Sequence, residues 1–155
     1  MKDLFFKQGE KAFSLRASAV VIAGDFVLLQ YNGNKNKLMF SGGHLKHGEN
    51  SADALLRELK EECTLKLEIK RFLGWHEFCF DWEGMHTHQV CAFYEMSAPD
   101  MQTQDINLKL TDELTDFCYS SKLIWVKKSE LLHNTVYPTH VLENLNLLLD
   151  KKLLN

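Results

Sequence analysis

The sequence has no excess of positive charge: 18 Lys and Arg stand against 21 Asp and Glu, for a net charge of −3 over 155 residues. Without a strongly basic surface there is little to grip a phosphate backbone by counterion release, so long nucleic acid is not an expected partner. No membrane partner is expected either, since the N-terminal Met1-Lys2-Asp3-Leu4-Phe5-Phe6-Lys7 is far too short an apolar stretch for a signal peptide or a span and no later run is long enough. Cys63, Cys79, Cys91 and Cys118 form no C-x-x-C pair and have no zinc-type histidine spacing. They predict reduced thiols in a cytoplasmic protein. Internal repeats, low-complexity tracts and interdomain linkers are also missing. What is present is a 45% hydrophobic share, enough for one core, and residues 1–155 are read as a single domain.

Along the chain, Ser18 to Ile22 and Phe26 to Gln30 read as two strands around a Gly24-Asp25 turn. Leu38-Met39-Phe40 is a short strand running into Ser41-Gly42-Gly43. From Asn50 or Ser51 the period becomes helical, with Ala52, Leu55, Leu56, Leu59 and Cys63 on one apolar stripe. Leu67 to Phe80 and His88 to Met96 read as longer strands separated by a turn near Asp81-Trp82-Glu83-Gly84, and Leu123 to Val126 as a further one. Pro99 to Tyr119 is polar and irregular, a long functional loop, and Pro138 to Leu153 reads as a helix with Leu142, Leu145 and Leu149 inward. This order of elements predicts a mixed sheet packed between helices.

Chemistry concentrates in one stretch: Gly43-His44-Leu45-Lys46-His47-Gly48-Glu49, then seven residues, then Arg57-Glu58-Leu59-Lys60-Glu61-Glu62. At about 100° per residue, Glu58, Glu61 and Glu62 share one helix face beside the apolar stripe. Left bare, such like-charged pairs each cost roughly 0.2–0.5 kcal/mol, and a divalent cation reverses the sign. Mg²⁺ takes hard oxygen ligands and commonly binds a few carboxylates together with substrate phosphates. A carbonyl at Gly42-Gly43 can complete such a shell because glycine has no Cβ in the way, and Gly48 allows the turn that feeds the helix. A glutamate-rich helix face is by itself ordinary solvated surface. Six fixed positions, however, match by chance with odds on the order of 10⁻⁵.

Gly43, Glu49, Arg57, Glu58, Leu59, Glu61, Glu62 and Leu65 resemble, position by position, the 23-residue box of the Nudix hydrolase superfamily, with its MutT-like members. The resemblance implies an α/β/α sandwich with a mixed β-sheet between helices, of the α/β or α+β class. It also implies Mg²⁺-dependent cleavage of a diphosphate linkage in a nucleoside diphosphate-linked or nucleoside triphosphate substrate, with Mn²⁺ as a substitute. By the same likeness Glu61 and Glu62 are metal ligands, Glu58 a ligand or the general base, Arg57 the residue that orients a glutamate, and Glu49 a support for the loop–helix corner. Two positions depart from the pattern. Thr64 replaces the family's glycine after the paired glutamates, which predicts a different helix exit and affects the aim of Glu61 and Glu62. Ser41 replaces the proline that many members carry before the glycine pair, which predicts a looser strand end.

Outside the box, Glu113 is the candidate for a further acidic metal ligand, with Asp112 and Asp116 as rivals. His44 and His47 lie in the glycine loop where they could touch phosphate. Of the aromatic cluster Trp75, His76, Phe78, Phe80 and Trp82, most are expected in the core, with Trp82 the exposed member able to stack on a base. His86 and His88 are expected on one strand face, without the spacing of a zinc site. Neither the proline typical of the ADP-ribose branch nor the tyrosine of the dinucleoside-polyphosphate branch occurs in Leu73 to Trp82. That leaves a nucleoside triphosphate or related small nucleotide as the default substrate. A catalytically silent Nudix-fold binding or regulatory module is the rival reading, and would be expected to lose the carboxylates that remain here. An RNA-decapping enzyme would need a basic groove. The resemblance is also compatible with a homodimer.

Overall fold

Side chains alternate along a strand, so an apolar run buried on both sides serves two cores at once. Strand β2 (Lys11–Ala23) does so, turning Ala17, Ala19 and Val21 to one core and Val20 to the other, all fully buried. The computed structural model describes residues 2–32, 37–63, 65–101, 121–131 and 136–154. Among these, β1 (Phe5–Gln8), β3 (Phe26–Asn32), β4 (Lys37–Met39), β5 (Gly42–His44), β6 (Glu68–Trp82), β7 (Met85–Ser97), β8 (Ser121–Lys127) and β9 (Val136–Tyr137) join β2 in one sheet. The sheet runs β6-β7-β2-β3-β4-β9, with β1 and β5 also paired to β2 and β8 to β3. It is mixed: β2 runs parallel to β7 from Lys11↔His86 to Val21↔Met96, β4 parallel to β9, and the remaining pairs are antiparallel.

Helix α1 (Ser51–Glu62) buries Ala54, Leu55 and Leu59 in the core that holds Ala17, Ala19, Val21, Ala92 and Trp125. Helix α2 (Leu142–Leu148) buries Leu142 and Leu145 in the opposite core, with Val20, Leu29, Phe93 and Val126. The mixed sheet between two helices is the α/β/α sandwich that the sequence led us to expect. Start and stop of α1 are local. Asn50 caps it, its Oδ1 accepting from Asp53 N at 2.9 Å, while Cys63 is already extended at φ −141°. Thr64, where a different exit was expected, lies outside the described residues, as does most of the polar stretch 99–119.

Three expectations need correction. The C-terminal helix does not run from Pro138 to Leu153: a 3₁₀ turn occupies Thr139–Val141, and α2 ends at Leu148. Asp150 and Lys151 take left-handed φ of 53° and 62°, and Asn146 Oδ1 accepts from the backbone of Leu153 and Leu154, which turns the chain back on itself. The hairpin turn is shorter than expected. Asp81 and Trp82 belong to β6, and only Glu83 (φ 51°) and Gly84 (φ 77°) turn, the two-residue form that suits the twist of an antiparallel pair. Within the cluster Trp75, His76, Phe78, Phe80 and Trp82 the exposed aromatic is Trp75 at 50%, whereas Trp82 is partly buried with the Lys37 ammonium 5.0 Å from its ring. Lys37 opens β4, so this contact shows the sheet curling until its edge strand β6 meets β4.

Curling also brings β5 onto the middle of β2, with Ala17↔Gly43 and Ser18↔Gly42 in register. The approach is close enough that a Cβ on Gly42 would fall 2.0 Å from the Ala17 carbonyl oxygen. Gly42→Ala is therefore expected to destabilise the fold by more than ~3 kcal/mol, read as a lower midpoint in urea denaturation.

Candidate active site

The chain leaves β5 at His44 and returns to α1 through Leu45 to Asn50, so the loop and the helix face each other across Arg57. Gly48, with φ +83°, makes the turn. Arg57 grips the loop from the helix side. Its Nε donates to Glu49 Oε1 at 2.6 Å and its Nη2 to Glu49 Oε2 at 3.0 Å, a bidentate fork. Nη2 also donates to the His44 carbonyl at 3.1 Å, and Nη1 donates to Glu58 Oε1 at 2.7 Å. Glu61 Oε1 lies 3.7 Å from the same Nη1 and its side chain is about half exposed. Glu49 is fixed from the loop as well, accepting the Lys46 N–H at 2.9 Å.

The strand end meets the helix carboxylates directly. A Cβ on Gly43 would lie 2.2 Å from Glu58 Cδ, so glycine is what admits that carboxylate. Two residues earlier, Ser41 donates from Oγ to Glu62 Oε2 at 3.1 Å. Arg16, on β2 opposite His44, donates from Nη2 to the Gly42 carbonyl at 3.1 Å, while its buried Nε has no partner among the described residues. Sequence reasoning missed Arg16. The available signal was a cation two residues before the apolar run of β2, flanked by the apolar Leu15 and Ala17.

Environment separates the carboxylates. The Arg57 hydrogen bonds hold Glu49 down to about 2, against some opposition from burial, and Glu49 in turn raises Arg57. Burial pushes Glu62 up to about 7, the Ser41 hydroxyl opposing and the Glu58 charge assisting. Burial, with Arg16 next in weight and Asp3 opposing, lowers His44 to about 4, so its imidazole is neutral at pH 7. The His44 ring also packs against Phe5, tilted at 51° with centroids 5.2 Å apart. His47 is exposed, its backbone N–H reaching the Lys2 carbonyl. His86 and His88 do share a strand face, hydrogen-bonded to Asp81 and Glu77 on β6. Glu113, Asp112 and Asp116 lie outside the described residues.

The arrangement can hold a hard cation, though not as the side chains stand. Among the described residues no three His, Cys, Asp or Glu side chains are gathered as a metal-holding group. Glu58 is turned to Arg57 and Glu62 to Ser41, as expected of like charges that separate onto the nearest donors. The donor set nevertheless fits a divalent cation, because Glu58 and Glu62 abut one strand end at Gly43 and Ser41 and offer hard oxygens. Trp82 is carried on β6, where Lys37 covers its ring.

The NUDIX domain family model matches residues 13–143, which span β2 through the start of α2 and contain the whole of this site. The chain belongs to the Nudix family. Its enzyme class is accordingly that of the Nudix pyrophosphohydrolases. No curated protein matches the chain in sequence. Solved Nudix structures do match in fold. A NUDIX hydrolase from Nitrosomonas europaea has a TM-score of 0.61 at 18% identity, over 86% of each chain. The E. coli ORF135 protein matches at 0.57 and 19%, over 95% of this chain and 98% of that one. A MutT NUDIX hydrolase from Burkholderia pseudomallei matches at 0.58 and 17%, over 83% and 94%.

The opposed shifts within this Nudix box give opposite pH signs. In the metal-free protein Glu62 keeps a proton that the unfolded chain releases, so its burial costs stability as pH rises from about 4.5 to about 7. Glu49 is the reverse: its contribution is full above about 4.5 and is lost as pH falls toward 2. Thermal melts in a chelator should therefore show Glu62→Gln more stable than wild type at pH 8, by on the order of 1–3 kcal/mol, and no such gain at pH 4.5. Glu49→Gln should lose stability at pH 8 and approach wild type toward pH 2.

Proposed function

We propose that this Nudix protein is a Mg²⁺-dependent pyrophosphohydrolase of small nucleotide-like substrates, with Mn²⁺ as a substitute and nucleoside triphosphates as the first substrate class. The observation that carries the proposal is the Arg57 fork, which ties Glu49 and Glu58 while Glu58 and Glu62 abut the Gly43 and Ser41 strand end. Glu58, Glu61 and Glu62, with the Gly43 carbonyl, would hold the cation, and Glu113 is the candidate further ligand. When bound, the cation would neutralise phosphate oxygens and activate a water for attack on phosphorus.

The remaining roles belong to the chain. Arg57 fixes Glu58 through Oε1 and keeps its carboxylate against Gly43. Glu49 takes no part in proton transfer at neutral pH, since it stays ionised on Arg57 down to about 2. Glu58, Glu61 and Glu62 are all candidates for the proton acceptor, since each lies on the helix face that would carry the cation and its water. His44, neutral at pH 7, would offer an uncharged imidazole N–H to a substrate phosphate. The exposed thiol of Cys79 supports a reducing compartment such as the cytoplasm.

A panel of dNTPs, oxidised dNTPs, ADP-ribose, sugar nucleotides, dinucleoside polyphosphates and capped RNA, each with and without Mg²⁺, tests the reading. Metal-dependent release of phosphate or pyrophosphate from a nucleotide is expected, and Glu61→Gln or Glu62→Gln should cut kcat by ~10²-fold or more. Undiminished turnover in both variants would refute the assignment of these glutamates, and silence across the whole panel would favour a binding module.

A further inference from the structure

Ser41 occupies the position where many Nudix members carry proline, and its side chain makes a bond that proline cannot. Ser41 is 1% exposed, and its hydroxyl donates to Glu62 Oε2 at 3.1 Å. The strand end does not need that hydroxyl to stay in place, because Ala19 N donates to the Ser41 carbonyl at 2.8 Å and Gly42 pairs with Ser18 in the sheet. Arg16 holds the next carbonyl, that of Gly42, at 3.1 Å. The hydroxyl is thus spare to the fold and committed to one partner.

That partner is one of two glutamates on the same helix face. Glu58 and Glu62 are one helical turn apart on α1, and Gly43 and Ser41 are two positions apart on the strand end that faces them. Glu58 is placed by Arg57 and by the missing Cβ of Gly43. Glu62 has no arginine within bonding distance among the described contacts and is placed by Ser41. We infer that Ser41 is a positioning residue, whose hydroxyl keeps the Glu62 carboxylate at the strand end that Glu58 also abuts, so that a divalent cation draws Glu62 from a neighbouring donor rather than from solvent, an inference that rests on the cation-binding reading of the box. A hydroxyl suits the task because it donates to a carboxylate without adding a charge that would compete with the cation. Ordering a long, rotatable side chain before the ligand arrives removes that cost from binding.

The test is Mn²⁺ affinity, read from the electron paramagnetic resonance of free Mn²⁺ without substrate, in wild type, Ser41→Ala, Glu62→Gln and the double variant. Ser41→Ala should weaken binding about 3–10-fold, the net worth of one ordinary intramolecular hydrogen bond. In the Glu62→Gln background the same change should have less than about 1.5-fold effect, because the hydroxyl acts through Glu62. Equal affinity in wild type and Ser41→Ala would overturn the role of Ser41 while leaving the cation site standing, and so would an equal loss in both backgrounds. Failure of wild type to take up Mn²⁺ would overturn the cation reading itself, and this inference with it.

Discussion

The functional corner depends on one guanidinium. The loop from His44 to Asn50 has little apolar reason to lie against α1, since His47 and Gly48 are exposed and only Leu45 is buried in it. Arg57 supplies the reason, with hydrogen bonds to Glu49 at 2.6 and 3.0 Å, to the His44 carbonyl at 3.1 Å and to Glu58 at 2.7 Å. All of these use the planar five-donor fork of arginine. A lysine ammonium is a point charge on a flexible stem and cannot meet Glu49 through both oxygens while also reaching Glu58. Burial strengthens the arrangement, because only about a quarter of the Arg57 side chain and less of Glu49 and Glu58 face solvent.

Around that fork the carboxylates divide by environment. Glu49 and Glu62 belong to one short box, yet hydrogen bonds from Arg57 hold the first at about 2 and burial lifts the second to about 7. The first behaves as a fixed structural anion over the whole physiological range. The second is a group whose charge depends on what approaches it. Paired titratable groups driven apart in this way are a common mark of a reactive site, in which one member anchors and the other responds.

Much of this was legible in the sequence, for identifiable reasons. The apolar stripe through Leu55 and Leu59 and the cap at Asn50 placed α1 within a residue of its observed start, because caps and periodicity are local signals. The strand pair around Gly24-Asp25 was legible for the same reason. The short C-terminal helix was not: its stop depends on Asn146 reaching the backbone of Leu153 and Leu154, a bond with no signature in apolar spacing. Strand β1 was missed because Phe5 to Gln8 is largely exposed and owes its conformation to pairing with Lys11 to Ser14. At the site, the spacing of Glu58, Glu61 and Glu62 announced a shared face. It could not reveal Arg16 or the Ser41 hydroxyl, since both arrive from β2 and the strand end through the register Arg16↔His44, Ala17↔Gly43 and Ser18↔Gly42. Trp82 was misjudged as exposed because only the curl of the sheet brings Lys37 across it.

Charge balance ties the corner to its proposed chemistry. Glu49, Glu58, Glu61 and Glu62 bring four carboxylates to a place that Arg57 and Arg16 supply with two guanidiniums. With every group ionised the surplus is two negative charges. The protein alone can reduce that surplus only by leaving a proton on Glu62, which is the outcome that burial already favours. On the proposed reading a divalent cation would cancel the surplus, and its uptake would be coupled to ionisation of Glu62. A phosphate-bearing substrate would then meet a corner without surplus negative charge. Substrate and cation would assist one another's binding, and neither would need the chain as a whole to be basic.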